Sequence, residues 1–198
     1  MIKDPETALR DAGRRLPTED GPDLAGPAAD AGLLDVAYAE VDSPLGPLIV
    51  AATPRGLARV AYADDGRDAA LEDIARRISP RVLESPSRLD TTRRELDEYF
   101  DGERREFDIP LDLRLVRGFG ARVLAFTSKV PFGQVTTYAE VAAAAGSPRG
   151  SRAAGNALGA NPIPIVVPCH RVLRSGGGLG GYTGGLDRKR RLLAVEGL

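Results

Sequence analysis

The chain of 198 residues holds one cysteine and one histidine. A single cysteine excludes an intramolecular disulfide and any zinc site built on several thiolates. It suits a reducing compartment, because a free thiol outside the cell is exposed to oxidation, so a cytoplasmic location is expected. No apolar run reaches the ~18 residues that crossing a bilayer demands, and no membrane association is expected. The opening stretch MIKDPETALRDAGRR lacks the apolar core of a secretion signal. No nucleotide-binding loop and no metal-ligand cluster stands out, so no cofactor and no metal are expected. A dense block of Lys and Arg is also missing.

What is present reads as a folded protein of one or two domains, 42% hydrophobic and 28% charged. The net charge of -1 hides a division. Residues 1–110 carry 15 Lys/Arg against 24 Asp/Glu, a balance of -9. Residues 111–198 carry 12 against 4, a balance of +8, and the two balances together give the -1 of the whole. A basic half in a neutral chain fits contact with a polyanion, although dipolar asymmetry between two domains would read the same way.

Three segments emerge. Residues 1–33 are rich in Pro, Gly, Asp and Ala and read as a flexible extension in which PETALRDAG can form a short helix. Residues 34–109 read as a scaffold domain, a small antiparallel sheet with helices. Two or three strands are broken by the turn signals Ser43-Pro44-Leu45-Gly46 and Pro54-Arg55-Gly56. RDAALEDIARRI, with Ala70, Ile74 and Ile78 on one face, and SRLDTTRRELDEYFDGE, stopped by Gly102, read as helices, and REFDIPLDL as an extended link. No constellation in this domain points to chemistry.

Residues 110–198 read as a helical domain. LVRGFGARVLAFTSKV carries an apolar stripe ended by Pro131. Thr137 lies three residues before Glu140, the spacing of a capping box. Ser147 and Pro148 fit the N-cap and first position of a following helix, SRAAGNALGAN. Two helices joined by a tight turn describe a helix-turn-helix, a pairing also found in structural bundles. The second helix offers Arg152 among small residues and has no polar face for reading the major groove. Small residues allow close approach to a narrow groove, or equally to a neighbouring helix.

In NPIPIVVPCHRV the prolines at 162, 164 and 168 favour an extended path, and Ile163, Ile165, Val166 and Val167 a buried one. Cys169 at its end is either a small core hydrophobe or a nucleophile served by His170. Neighbours on an extended strand point to opposite faces, so direct contact between the two needs a turn or a water. The imidazole also needs an orienting carboxylate. Asp187 and Glu196 are the only side-chain carboxylates after residue 170, and Glu196 is preferred.

PCHRV, PFGQVTTYAEVA, SRAAGNALGANP and GYTGGLDRKRRLLAVEG stand in the order and spacing of the O6-alkylguanine-DNA alkyltransferases, and residues 110–197 resemble that family. The resemblance implies an α+β protein: an N-terminal sheet domain followed by a helical, winged helix-turn-helix-like DNA-binding domain. It implies repair by direct reversal, in which an alkyl group leaves O6 of guanine, with O4 of thymine as a further substrate, and stays on Cys169. His170 would take the thiol proton through a water, Glu196 would hold the His170 tautomer, and Tyr138 would donate toward N3 of the departing guanine. Asn161 would brace the turns of the pocket, and Lys189 would stabilise charge at the base. Tyr182 would lie against the base, amides near Thr183 would approach O6, and backbone at Cys169 and Val172 would read the guanine edge. Arg152 would enter the duplex where the flipped nucleotide stood. Ser151, Ala153, Asn156 and Thr137 would face DNA across the minor groove. The partner implied is double-stranded DNA carrying the lesion, and a monomer suffices. Thr183 stands where the family often has Ser, and Asn156 where small residues are common. A lesion-flagging relative of the family lacks the acceptor cysteine, a winged-helix regulator would be indifferent to it, and a cysteine hydrolase would turn over.

Overall fold

Strand formation begins where the apolar alternation begins. The computed structural model describes residues 27–28 and 31–198; the expected helix at PETALRDAG lies outside the described residues. Strands β1 (Val36–Val41), β2 (Leu48–Thr53) and β3 (Gly56–Tyr62) form a meander turned at the two expected sites. At the second turn Gly56 has φ +131°, and a Cβ there would come within 2.1 Å of the Pro110 carbonyl oxygen. Only glycine lets the REFDIPLDL link cross so closely. The link is tied down by bonds from Leu57 N to Pro110 O and from Asp112 N to Leu57 O, both 2.8 Å.

The sheet differs from the expected antiparallel one. Helix α1 (Arg67–Arg77) crosses over and returns the chain as β4 (Val82–Glu84), which pairs parallel to β1, giving the order β3-β2-β1-β4. A crossover helix restores the strand direction, whereas a hairpin reverses it. β4 escapes the sequence pattern because two half-buried residues and an exposed one carry no alternation.

The period of two divides the sheet's faces. Val36 and Ala51 face α1 through Ile74. Ala39, Val41, Leu48 and Val50 face the other way, into a core that runs without a break into the C-terminal half. Helix α2 (Asp90–Phe100) adds Leu96 and Tyr99 to that core, with Leu89 just ahead of its first turn.

The C-terminal half is built on four helices: α3 (Gly118–Thr127), α4 (Tyr138–Ala144), α5 (Ser151–Gly159) and α6 (Gly185–Val195). Two-residue strands β5 (Thr136–Thr137) and β6 (Val172–Leu173) pair in parallel beside them. α3 ends at Thr127, short of Pro131, and buries Val123 and Leu124. The capping box forms as its spacing predicts: Thr137 Oγ1 accepts from Glu140 N at 3.2 Å, and Glu140 Oε2 accepts from Thr137 N at 2.8 Å. The expected cap of the next helix does not form. Gly150 is the N-cap of α5, and Ser147 to Gly150 close a turn through Gly150 N to Ser147 O at 2.8 Å. Pro148 occupies the second position of that turn, where its fixed φ is equally favourable.

Candidate active site

The segment from Asn161 to Arg171 is buried as expected, but it is not extended. It folds through successive turns: Val167 N donates to Ile163 O at 2.9 Å, Ile165 has φ +75°, and Cys169–Arg171 is one turn of 3-10 helix. Three prolines remove backbone donors, and the side chain of Asn161 replaces part of that bonding. Its Nδ2 donates to Val167 O at 2.9 Å and its Oδ1 accepts from Ile163 N at 3.0 Å. Asn161 thus clamps both ends of the loop that delivers Cys169. The 3-10 turn narrows the angle between the neighbours without bringing Cys169 and His170 into a direct hydrogen bond. Neighbours along it diverge by about 120° rather than 180°.

His170 is fully buried, and its Nε2 lies 2.8 Å from Glu196 Oε1. Glu196, just past the end of α6, is buried as well. Its carboxylate accepts from Arg171 Nε at 2.9 Å, from Arg171 Nη2 at 2.9 Å, from the Tyr99 hydroxyl at 2.7 Å and from Gly133 N at 3.2 Å. These donors outweigh burial and hold the Glu196 pKa down to about 2. An ionised carboxylate only accepts, so His170 Nε2 carries the proton. Burial lowers the pKa of His170, with Arg171 and Lys189 adding repulsion, so the ring is neutral. Its Nδ1 therefore keeps the lone pair, and this atom has no hydrogen-bond partner among the described residues. The arrangement is a base with its accepting atom free.

Cys169 is 4% exposed, and burial raises its pKa; the Asn161 side chain and the Lys189 charge pull the other way. At neutral pH the site holds a thiol beside a neutral imidazole, not a preformed ion pair. Cys169 lines a cavity of about 640 Å³ walled by Tyr138, Leu158, Gly180, Tyr182 and Thr183, with Ser151, Arg152 and Asn156 of α5 at its edge. The Tyr138 hydroxyl donates to Gly181 O at 3.2 Å, and burial raises its pKa, so it keeps its proton. Gly180 has φ +72°, and a Cβ there would stand 2.5 Å from the Tyr138 oxygen. The Thr183 hydroxyl donates to Gly159 O at 2.7 Å, pinning the glycine-rich loop to the end of α5.

Other expected site residues lie behind the cavity wall. Lys189 is fully buried, its Nζ donating to Val172 O at 2.6 Å and to Leu179 O at 2.5 Å, 6.0 Å from the Tyr138 ring centre. Burial brings its pKa down to about 8. Its ammonium ties β6 to the glycine-rich loop. Val172 is likewise buried, Asn161 acts from beneath the loop, and the Thr137 hydroxyl is taken by its cap. Arg152, Ala153 and Asn156 share the exposed face of α5.

Three residues that support the site from outside the cavity were not singled out in the sequence. Arg171 neutralises Glu196; the R of PCHR was its only signal. Tyr99 reaches the same carboxylate from 97 residues away, and the Tyr62 hydroxyl lies 2.8 Å from that of Tyr182. Both tyrosines belong to the half that showed no chemistry of its own.

Two family models cover the described fold almost end to end. The "6-O-methylguanine DNA methyltransferase, ribonuclease-like domain" matches residues 36–113, and the "6-O-methylguanine DNA methyltransferase, DNA binding domain" matches residues 118–198. The chain belongs to the 6-O-methylguanine DNA methyltransferase family. A methylated-DNA–protein-cysteine methyltransferase of Mycolicibacterium paratuberculosis is 42% identical over 81% of this chain and 92% of its own length. One from Methanosarcina acetivorans is 36% identical over 81% and 97%. The crystal structure of Mycobacterium tuberculosis O6-methylguanine methyltransferase superposes with a TM-score of 0.72 at 37% identity, covering 81% of this chain and 92% of that one. Mycobacterium tuberculosis OGT in complex with DNA gives 0.70, with the same identity and coverage. These relatives share both halves of the fold, so the sheet half is as much a part of the family as the half carrying Cys169.

Proposed function

We propose that this methyltransferase repairs DNA by direct reversal, moving an alkyl group from O6 of guanine irreversibly to Cys169. The observation that carries the proposal is the pairing of a cavity-lining thiol with a buried neutral imidazole whose Nδ1 is free and whose Nε2 is locked on Glu196. The reacting carbon sits inside the base stack of an intact duplex, so the nucleotide must first be flipped into the cavity. Its volume of about 640 Å³ leaves room for a purine and its adduct.

In the chemical step a water relays the Cys169 proton to His170 Nδ1. Sulfur forms a bond to the alkyl carbon as the bond from that carbon to O6 breaks, and the electron pair passes into the purine. Tyr138 donates a proton toward N3, and amides around Thr183 donate toward O6, where the negative charge develops. Glu196 stays ionised and stabilises the imidazolium as it forms. The product is a thioether. No second thiol exists to resolve it, so each molecule reacts once.

DNA is met by α5. Its exposed face has Ala153 and Asn156 beside Arg152, and small residues allow close approach to a shallow, narrow groove. We assign that groove as the minor one and Arg152 as the side chain that fills the gap left by the flipped nucleotide. Binding through backbone and groove shape requires no second copy of the chain, and the reduced thiol it depends on suits the cytoplasm.

Intact mass after incubation with an O6-methylguanine duplex tests the proposal. One molecule of protein should gain about 14 Da, located on Cys169. Repeated turnover, or an unchanged mass with the lesion removed, would contradict it.

A further inference from the structure

The wall of the cavity is held by a contact between the two halves of the molecule. Tyr182 lines the cavity, and its hydroxyl is 2.8 Å from that of Tyr62, the last residue of β3, with the rings edge to face at 6.4 Å. Tyr62 is itself fixed. The Arg188 guanidinium lies 4.1 Å over its ring, while Arg188 Nη1 reaches Asp65 at 3.0 Å and Arg188 Nε donates to Leu45 O at 3.1 Å. Gly184 sits so close to the Tyr62 ring that a Cβ would be 2.3 Å from its Cε2. Behind this wall lies a second cavity of about 510 Å³, lined by Tyr62, Arg59, Gly66, Pro164 and Thr183. Thr183 faces both cavities. Thr183 therefore stands between two spaces, and Tyr182, its neighbour on the acceptor side, keeps its place through the Tyr62 hydroxyl.

We infer that Tyr62 is a specificity-determining positioning residue for the alkyl group, anchoring Tyr182 so that the acceptor cavity stays shallow and favours small adducts. The inference rests on the alkyl-transfer reading above. Tyr62 touches neither the thiol-bearing loop nor His170 by any hydrogen bond; its action runs through the Tyr182 hydroxyl. Burial pushes the Tyr62 pKa up to about 12 and raises that of Tyr182 well above the ordinary tyrosine value. Both hydroxyls stay protonated at working pH, so one always donates to the other.

Tyr62→Phe removes only the hydroxyl and keeps the ring under Arg188 and against Gly184. Single-turnover rates should be measured on duplexes carrying O6-methylguanine and O6-benzylguanine, with intact mass recording each transfer. Methyl transfer should stay within about twofold. The benzyl-to-methyl rate ratio should rise roughly fivefold, the equivalent of one neutral hydrogen bond. Tyr182→Phe cuts the same bond from the other side, so the double variant should show little change beyond either single one. An unchanged ratio in Tyr62→Phe, or full additivity in the double variant, overturns the role of Tyr62. Wild-type protein that gains no mass from either duplex overturns the transfer reading itself, and the inference with it.

Discussion

Residues 36–113 fold as a mixed sheet with two helices, whereas, among the described residues, those lining the Cys169 cavity all come from residues 118–198. The acidic half holds the scaffold, and the basic half holds the thiol, the imidazole and the small-residue helix α5. The difference is not one of mere support against activity. The sheet's inner face continues into the core beneath the Cys169 loop, and two tyrosines cross from it: Tyr99 to the Glu196 carboxylate and Tyr62 to the cavity wall. A reactive loop bent through three prolines and a positive φ at Ile165 has little secondary structure of its own. Its precision is supplied by what packs under it.

Breaking that division should give a graded series. Cys169→Ala should bind lesion-bearing duplex and gain no mass, a complete loss of transfer seen by mass spectrometry. His170→Ala should slow transfer about 10²- to 10⁴-fold in single-turnover assays, the usual worth of a positioned base. A variant as fast as wild type would leave the thiol reacting without its base. Acid should act on the same network. Glu196 is held at about 2 in the fold against 4.5 unfolded, so its contribution is present above pH 4.5 and is lost as pH falls toward 2. That shift corresponds to on the order of 3 kcal/mol in denaturant titrations. The lowered pKa of His170 works in the same direction, since below about pH 6.5 the unfolded chain takes up a proton that the fold resists. Transfer rates should accordingly hold through neutral pH and fall only on the acid side.

Arg152→Ala should weaken lesion-duplex binding or slow transfer about tenfold, by analogy with the loss of one good arginine contact, with no effect on thermal stability. The smallest effect reaches across the halves. Tyr99→Phe removes one donor from an already well-bonded carboxylate and should cost about 1–2 kcal/mol of stability. With one donor fewer, Glu196 should hold the imidazole proton more tightly, moving the acid limb of the transfer profile to higher pH. Any larger loss of rate would assign Tyr99 a more direct part in the chemistry.

The parts legible in the sequence were those written in short range. Thr137 and Glu140 announce their cap because both partners lie within one turn, and Cys169 announces a reactive site because His170 follows it. Glu196 could be chosen because only one other carboxylate followed residue 170. β4 was missed because three residues without a buried one show no period, and the Ser147 cap because a serine-proline pair opens a turn as readily as a helix. Lys189 was expected near the pocket by resemblance; that its ammonium also ties carbonyls of β6 and the glycine-rich loop is visible only in the fold.

By itself the sequence determined the chemistry available: one thiol, one imidazole, and a small-residue helix carrying an arginine. Only the tertiary structure decided how that chemistry is set. Burial keeps the thiol protonated and the ring neutral, and the Arg171 ion pair together with the Tyr99 hydrogen bond keeps Glu196 ionised, which fixes which ring nitrogen is free. The reason is physical. Electrostatic environment and wall position depend on which distant residues share a small buried volume, and sequence separation carries no record of that.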